Sequence, residues 1–109
     1  MNAPYLTLTQ LNSSAAELNG QMFTIKGQLV AGKEITIDIS EGSSTVKLLI
    51  DDPSLMKRML ATCSMWLGGP VFDDPAVIVG TLAGREDGTI YVSSVESGTL
   101  HQPAGENMF

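Results

Sequence analysis

Two Asp-Asp-Pro triplets, Asp51-Asp52-Pro53 and Asp73-Asp74-Pro75, are the densest groups of chemistry-bearing residues in the chain. Their four carboxylates are oxygen ligands of the kind that Mg²⁺ and Ca²⁺ prefer. The spacing argues against a cation. A calcium-binding loop of the helix–loop–helix type needs acids at alternating positions, a central glycine and a late Glu, and neither triplet has them. Asp before Pro opens turns and caps helices, and that is the role read for both triplets. No metal site is expected. His101 is the only histidine and Cys63 the only cysteine, which excludes a multi-cysteine zinc site and an intrachain disulfide. Cys63 ends an apolar stripe with no base suggested beside it, the setting of a buried, inert thiol. The chain has no Gly-x-Ser-x-Gly nucleophile turn, no phosphate loop and no dinucleotide fingerprint. Neither catalysis nor a cofactor is expected, and the function read from these residues is binding.

Candidates for binding are more numerous. Proteins that hold single-stranded nucleic acid stack bases on aromatic rings and follow the backbone with cations. Lys26, Lys33, Lys47 and Arg85, with Tyr91 for stacking, are the nucleic-acid-binding candidates. Trp66 and Phe72 flank the end of a helix and are the candidates for an exposed apolar patch that meets a protein partner. Charge restricts both readings. Six Lys and Arg stand against twelve Asp and Glu, a net charge of -6. That excludes a broad electrostatic coat, whose affinity comes from many phosphate contacts, but not a narrow groove.

The chain of 109 residues fits one domain with a real core. Residues 1–102 are read as that domain and residues 103–109, rich in Pro, Gly and Asn, as a flexible tail. The first eleven residues lack a cationic start and an apolar run, so no secretory signal is read. No apolar stretch approaches the roughly 20 residues of a membrane span. A cytoplasmic protein with no membrane partner is expected, and a homo-oligomer is left open. Asn12-Ser13-Ser14 matches a glycosylation sequon, which has no role without export.

The elements that must position these residues follow from periodicity. Ser14-Ala15-Ala16-Glu17 fits a capping box and opens a short helical lead-in. Alternation of apolar residues predicts strands over 22–30, 34–40 and 45–51, which bury Phe23, Ile25, Leu29, Ile35, Ile37, Ile39, Val46, Leu48 and Ile50. Gly27 marks a bulge or sharp bend in the first of them. The period then changes. Asp52 is a helix cap, Pro53 the first helical position, and Leu55, Met56, Met59, Leu60 and Cys63 form one stripe, with Lys57, Arg58 and Thr62 facing away. After a turn at Asp73-Asp74-Pro75, further strands are predicted over 76–82 and 89–95, joined by a loop ending in Asp87-Gly88.

Five short strands with a helix between the third and fourth describe an all-β, five-stranded Greek-key barrel of the OB type. The segments that carry the likeness are Leu18-Asn19-Gly20-Gln21-Met22-Phe23-Thr24-Ile25-Lys26-Gly27, Ala76-Val77-Ile78-Val79-Gly80-Thr81-Leu82 and Tyr91-Val92-Ser93-Ser94-Val95. In pattern and element order the chain resembles the OB-fold (oligonucleotide/oligosaccharide-binding) superfamily from about Leu18 to Leu100. More loosely, it is similar to the family of the smallest subunit of eukaryotic replication protein A. The first resemblance implies a single-strand binder that uses the face of the second and third strands. The second implies a subunit of a larger single-strand-binding complex. That family's C-terminal assembly helix has no counterpart here, because Pro103 and Gly105 interrupt the segment. A protein-interaction domain that binds no nucleic acid is the alternative.

Overall fold

The computed structural model describes residues 3–12, 15–66 and 68–109. Apolar residues at alternate positions set its strands. β1 (Met22–Ala31) buries Phe23, Ile25, Leu29 and Ala31, and β2 (Ile35–Glu41) buries Ile35, Ile37 and Ile39. β3 (Ser44–Ile50) buries Leu48 and Ile50. Val46, expected inside, is 37% exposed. Its partner is Ile39, beyond the last β1–β2 pair at Asp38, so at that position the hairpin projects past its pairing with β1. β4 (Phe72–Gly84), β5 (Ile90–Gln102) and β6 (Gly105–Met108) complete the sheet.

The sheet order is β3-β2-β1-β4-β5-β6, with neighbours antiparallel, and an additional pairing joins β3 to β5. That extra pairing, parallel at Ile50↔Val92, closes β1, β2, β3, β5 and β4 into a ring. The molecule is therefore a mostly β, barrel-like structure of six strands. α3 (Leu55–Thr62) lies between β3 and β4 in the chain and buries Leu55 and Met59. Two single-turn helices, α1 (Leu8–Leu11) and α2 (Ala15–Leu18), precede the barrel. Before them the Leu6 N–H donates to Thr24 O at 2.9 Å and the Thr24 N–H to Pro4 O at 2.8 Å, so the start of the chain lies along β1. The core gathers Ile25, Leu29, Ile37, Leu55, Met59, Phe72, Ile78, Leu82, Val92 and Leu100. Each such burial contributes about 1.5–3 kcal/mol, well above an exposed ion pair, so apolar packing and not charge holds the barrel.

The structure corrects four local expectations. Residues 103–109 are not a loose tail. Pro103 and Ala104 turn the chain, Gly105 takes φ 133°, and β6 then pairs back on β5 from Gln102↔Gly105 to Thr99↔Met108. Phe109 and Gly98 exchange both backbone hydrogen bonds, at 2.9 and 3.0 Å. Asp73-Asp74-Pro75 is not a turn but part of β4, with Asp74 buried and Asp73 and Pro75 exposed. Pro75 is tolerated because the β4–β5 ladder starts only at Ala76, so one edge has no ladder bond to lose there. β5 runs to Gln102 because two extra residues, Ser93 and Glu96, bulge out of its pairing with β4. Such bulges bend a strand, and here they let one strand serve both β4 and β3. Finally, Asp52 does not cap α3. Ser54 stands at the N-cap, its side chain makes no capping hydrogen bond to the helix, and Pro53 precedes the helix.

The capping box read at Ser14 lies outside the described residues. A box does form at α1, where Thr7 Oγ1 accepts from the Gln10 N–H at 3.2 Å and Gln10 Oε1 accepts from the Thr7 N–H at 2.9 Å. No helix among the described residues is long and apolar enough to cross a membrane.

At Gly27 two strands approach closely. A Cβ there would stand 2.1 Å from the Asp38 carbonyl oxygen, on the facing strand's backbone. Gly27→Ala is expected to destabilise the barrel by about 1–3 kcal/mol, the range of an overpacked contact. Urea unfolding of the two proteins measures this, and equal midpoints would contradict the close approach.

Candidate binding face

The geometry of the outer surface depends on how the ring is closed. Beyond the Ile50↔Val92 pair, the Asp51 N–H donates to Val92 O at 2.8 Å. Asp52 comes next. Its Oδ2 accepts from the Val95 N–H at 2.8 Å, and its Oδ1 accepts from the Ser54 N–H and hydroxyl at 3.0 and 2.8 Å. Arg58, expected to face away from the core, reaches across from α3. It donates to Val95 O at 2.6 Å and to Glu96 O at 3.0 Å, and lies 3.8 Å from Asp52 Oδ2. The two side chains thus satisfy the backbone groups at the Glu96 bulge and tie α3 to β5. Burial by itself would raise the Asp52 carboxyl. The hydrogen bonds from Val95 and Ser54 and the Arg58 charge outweigh it and hold the group below its ordinary value.

The outward residues of β1, β2 and β3 fall into cross-strand rows. Gln28, Asp38 and Lys47 form one, and Val30, Thr36 and Leu49 the next. Ser40 and Thr45 form a third, joined by a 2.9 Å hydroxyl bond. The Ile50↔Val92 pair brings β5 alongside the end row at Leu49, with Tyr91 one residue before Val92 at the outward parity. Two shallow grooves flank these rows. One, of about 500 Å³, is lined by Lys33, Glu34, Leu49, Asp51, Asp52 and Met56 among others. The other, of about 490 Å³, includes Tyr5, Lys26, Gln28, Asp38 and Glu41. Asp38 Oδ1 is buried there with no hydrogen-bond partner.

The sequence-derived candidates separate into three groups. Lys26, Lys33 and Lys47 are exposed on the β1–β3 side, and among the described residues none of them is in an ion pair. Arg85 and Tyr91 meet each other, with the guanidinium 4.8 Å from the ring centre. The loop that carries Arg85 is fixed by the Gly88 N–H to Arg85 O bond at 2.9 Å and by the Asp87 carboxylate, which accepts from the Thr89 N–H at 2.9 Å. Trp66 and Phe72 do not share a surface patch. Phe72 is fully buried as the first inward residue of β4, whereas Trp66 is 45% exposed. Its indole N–H donates to Asp74 Oδ2 at 2.9 Å.

Other chemistry-bearing residues are held in structural roles. Cys63 is buried just after α3. His101 is not in a tail but on β5, where its Nδ1 lies 3.1 Å from Glu106 Oε1 on β6. Ser-x-x-Lys spacing occurs twice, at Ser44 and Lys47 and at Ser54 and Lys57. The first pair lies on a strand, where a three-residue offset puts side chains on opposite faces. The Ser54 hydroxyl of the second is given to Asp52. No group of three or more potential metal ligands occurs among the described residues. Sequence reasoning missed the contact of Asp74 with Trp66 and Gln102. Its signal was the parity that Asp74 shares with Phe72, Ala76 and Ile78. The Arg58 clamp had no such signal, because it joins residues 37 and 38 positions apart.

Replacing Asp52 by Asn keeps the shape but removes the charge that three donors and Arg58 address. The wild type is expected to be more stable by about 1–3 kcal/mol near neutral pH, the worth of hydrogen bonds to a charged group. Because the folded-state pKa is depressed, that advantage is complete above the ordinary carboxyl range and is lost as pH falls through the folded value, below 3.8. Denaturant unfolding of both proteins as a function of pH checks it, and a constant difference down to the acid limit would contradict it.

Compared with models of known families, with curated proteins and with solved structures, the chain matches none of them.

Proposed function

We propose that the chain is a non-catalytic binding module of the OB type whose ligand face is the outer surface of β1–β3 together with the start of β5. The ring order β1-β2-β3-β5-β4, the helix between the third and fourth strands and the two bulges of β5 support that fold reading. Barrels of this type bind along the second and third strands and between the first and fourth inter-strand loops. Here those loops carry Lys33 and Arg85.

The proposed ligand is a single-stranded nucleic acid. One observation carries this: Lys26, Lys47 and, in the adjoining β1–β2 loop, Lys33 are exposed and form no ion pair among the described residues, on the side where the Ile50↔Val92 pair brings β5 and its Arg85–Tyr91 couple beside β3. Lysines on a strand face can follow phosphates, and an aromatic ring beside a guanidinium can stack a base. Five carboxylates, Glu34, Asp38, Glu41, Asp51 and Asp52, line the flanking grooves. They set a low affinity and make the chain a weak binder, or a subunit whose partner supplies further contacts. Those same carboxylates, with half-buried Val30 and Leu49 between them, favour a second reading in which the face docks a protein and no nucleic acid.

Fluorescence anisotropy with a short labelled oligothymidylate distinguishes the two. Three or four phosphate contacts give a slope of log K against log salt of about -2 to -3 for a single strand. Lys47→Ala is expected to reduce the slope by about 0.7. Tyr91→Ala is expected to cost about 1–3 kcal/mol, the range of one base stack. No binding at low salt, with a partner protein that co-purifies through this face, would replace the first reading with the second.

A further inference from the structure

The link between α3 and β4 is pinned at several points. The Ser64 N–H donates to Gln102 Oε1 at 2.9 Å, and Gln102 Nε2 donates to Ser64 O at 2.6 Å. Asn107 on β6 donates to the same Gln102 Oε1 at 2.8 Å. Gln102 Nε2 also reaches Asp74 Oδ2 at 3.2 Å, the atom that accepts from the Trp66 indole at 2.9 Å. The Trp66 N–H donates to Val71 O at 2.9 Å. A carboxylate only 3% exposed is thus given two neutral donors, and the residue it fixes is an indole 45% exposed.

Fixing an exposed tryptophan lowers the ordering cost of whatever binds it. Because its N–H is already engaged, Trp66 offers a partner ring surface and no donor. The ring lines a depression of about 300 Å³ with Gly68, Gly69, Pro70 and Asp73. Among the described residues no cationic one lines it. Asp73 is exposed and accepts from Gln28 Nε2 through Oδ1 at 2.9 Å, which leaves Oδ2 for another donor. An indole face beside a carboxylate attracts a cation, and a planar guanidinium can stack on the ring while it hydrogen-bonds the acid. The chain's charge of -6 favours the approach of a basic partner.

We propose that the Trp66–Asp73 depression docks an arginine side chain of a protein partner, with the guanidinium over the indole and against the Asp73 carboxylate. The depression borders the β1–β3 face through the Gln28–Asp73 bond, but its carboxylate repels phosphate, so the proposal does not rest on the nucleic-acid reading.

Trp66 is the only tryptophan, so its fluorescence reports the site directly. The probe is a capped Gly-Arg-Gly-Arg-Gly peptide, with citrulline in place of arginine as the uncharged control. A saturable change in emission is expected with the arginine peptide and a weaker one with the control, by about three- to thirty-fold in affinity. Asp73→Asn is expected to weaken the arginine peptide and Glu86→Gln, remote in the β4–β5 loop, to leave it unchanged. Equal responses of the wild type to both peptides would overturn the proposal, whatever the folding of the variants. Equal losses in the two folded variants would also overturn it, because bulk charge would then account for the binding.

Discussion

The ring closes through a short stretch of chain at the end of β3. Ile50 pairs with Val92, Asp51 adds one backbone bond, and Asp52 and Arg58 fasten the bulge at Val95 and Glu96. Every other neighbour contact in the sheet is an antiparallel ladder, several of them made by consecutive strands. The β3–β5 contact is parallel, joins residues 42 positions apart at its single pair, and has no hairpin to guide it. Its cost in loop closure is offset by charged hydrogen bonds from Asp52 and Arg58 to the backbone of Val95 and Glu96. The same residues seat α3, because Arg58 belongs to the helix and Asp52 to the turn before it. Strand closure, helix position and the placing of β5 beside the Leu49 row therefore depend on one group of contacts.

This arrangement gives an acidic chain a face of mixed charge. Among the described residues the lysines at 26, 33 and 47 form no ion pair, and carboxylates line the grooves beside them. Elsewhere, acids are used inside the structure. Asp52 holds backbone, and Asp74 holds an indole and an amide. The two Asp-Asp-Pro triplets thus share a sequence but not a role: one ends the closure of the ring, and the other begins a long strand.

Much of the barrel was legible from alternation alone. Ile35, Ile37 and Ile39 marked β2, and Gly27, read as a bulge or bend, stands where backbone of the next strand leaves no room for a side chain while its pairing with β4 runs on unbroken. The change of period after Pro53 located the helix. What was hidden had specific causes. The bulges at Ser93 and Glu96 break the alternation of β5, so its second half looked irregular. Pro103 and Gly105 are frequent in tails and equally suited to the hairpin turn they make. Asp-Asp-Pro resembles a turn, yet the parity of Phe72, Asp74 and Ala76 already placed those residues inward, and with them the burial of Phe72. Parity put Lys26 and Lys47 on the outward side of β1 and β3, where both are exposed. The Arg85–Tyr91 contact and the reach of Arg58 were not legible, because each is set by tertiary geometry.

The central claim is that one outer surface, made continuous by the β3–β5 pair, receives the ligand. Amide and side-chain NMR shifts of the labelled protein, recorded during titration with a short oligothymidylate at low salt, test it most directly. The account predicts graded, fast-exchange shifts confined to residues around Lys26, Lys33, Lys47, Leu49, Arg85 and Tyr91, which fade as salt is added. Shifts that cluster elsewhere on the barrel, or none at low salt, would contradict it.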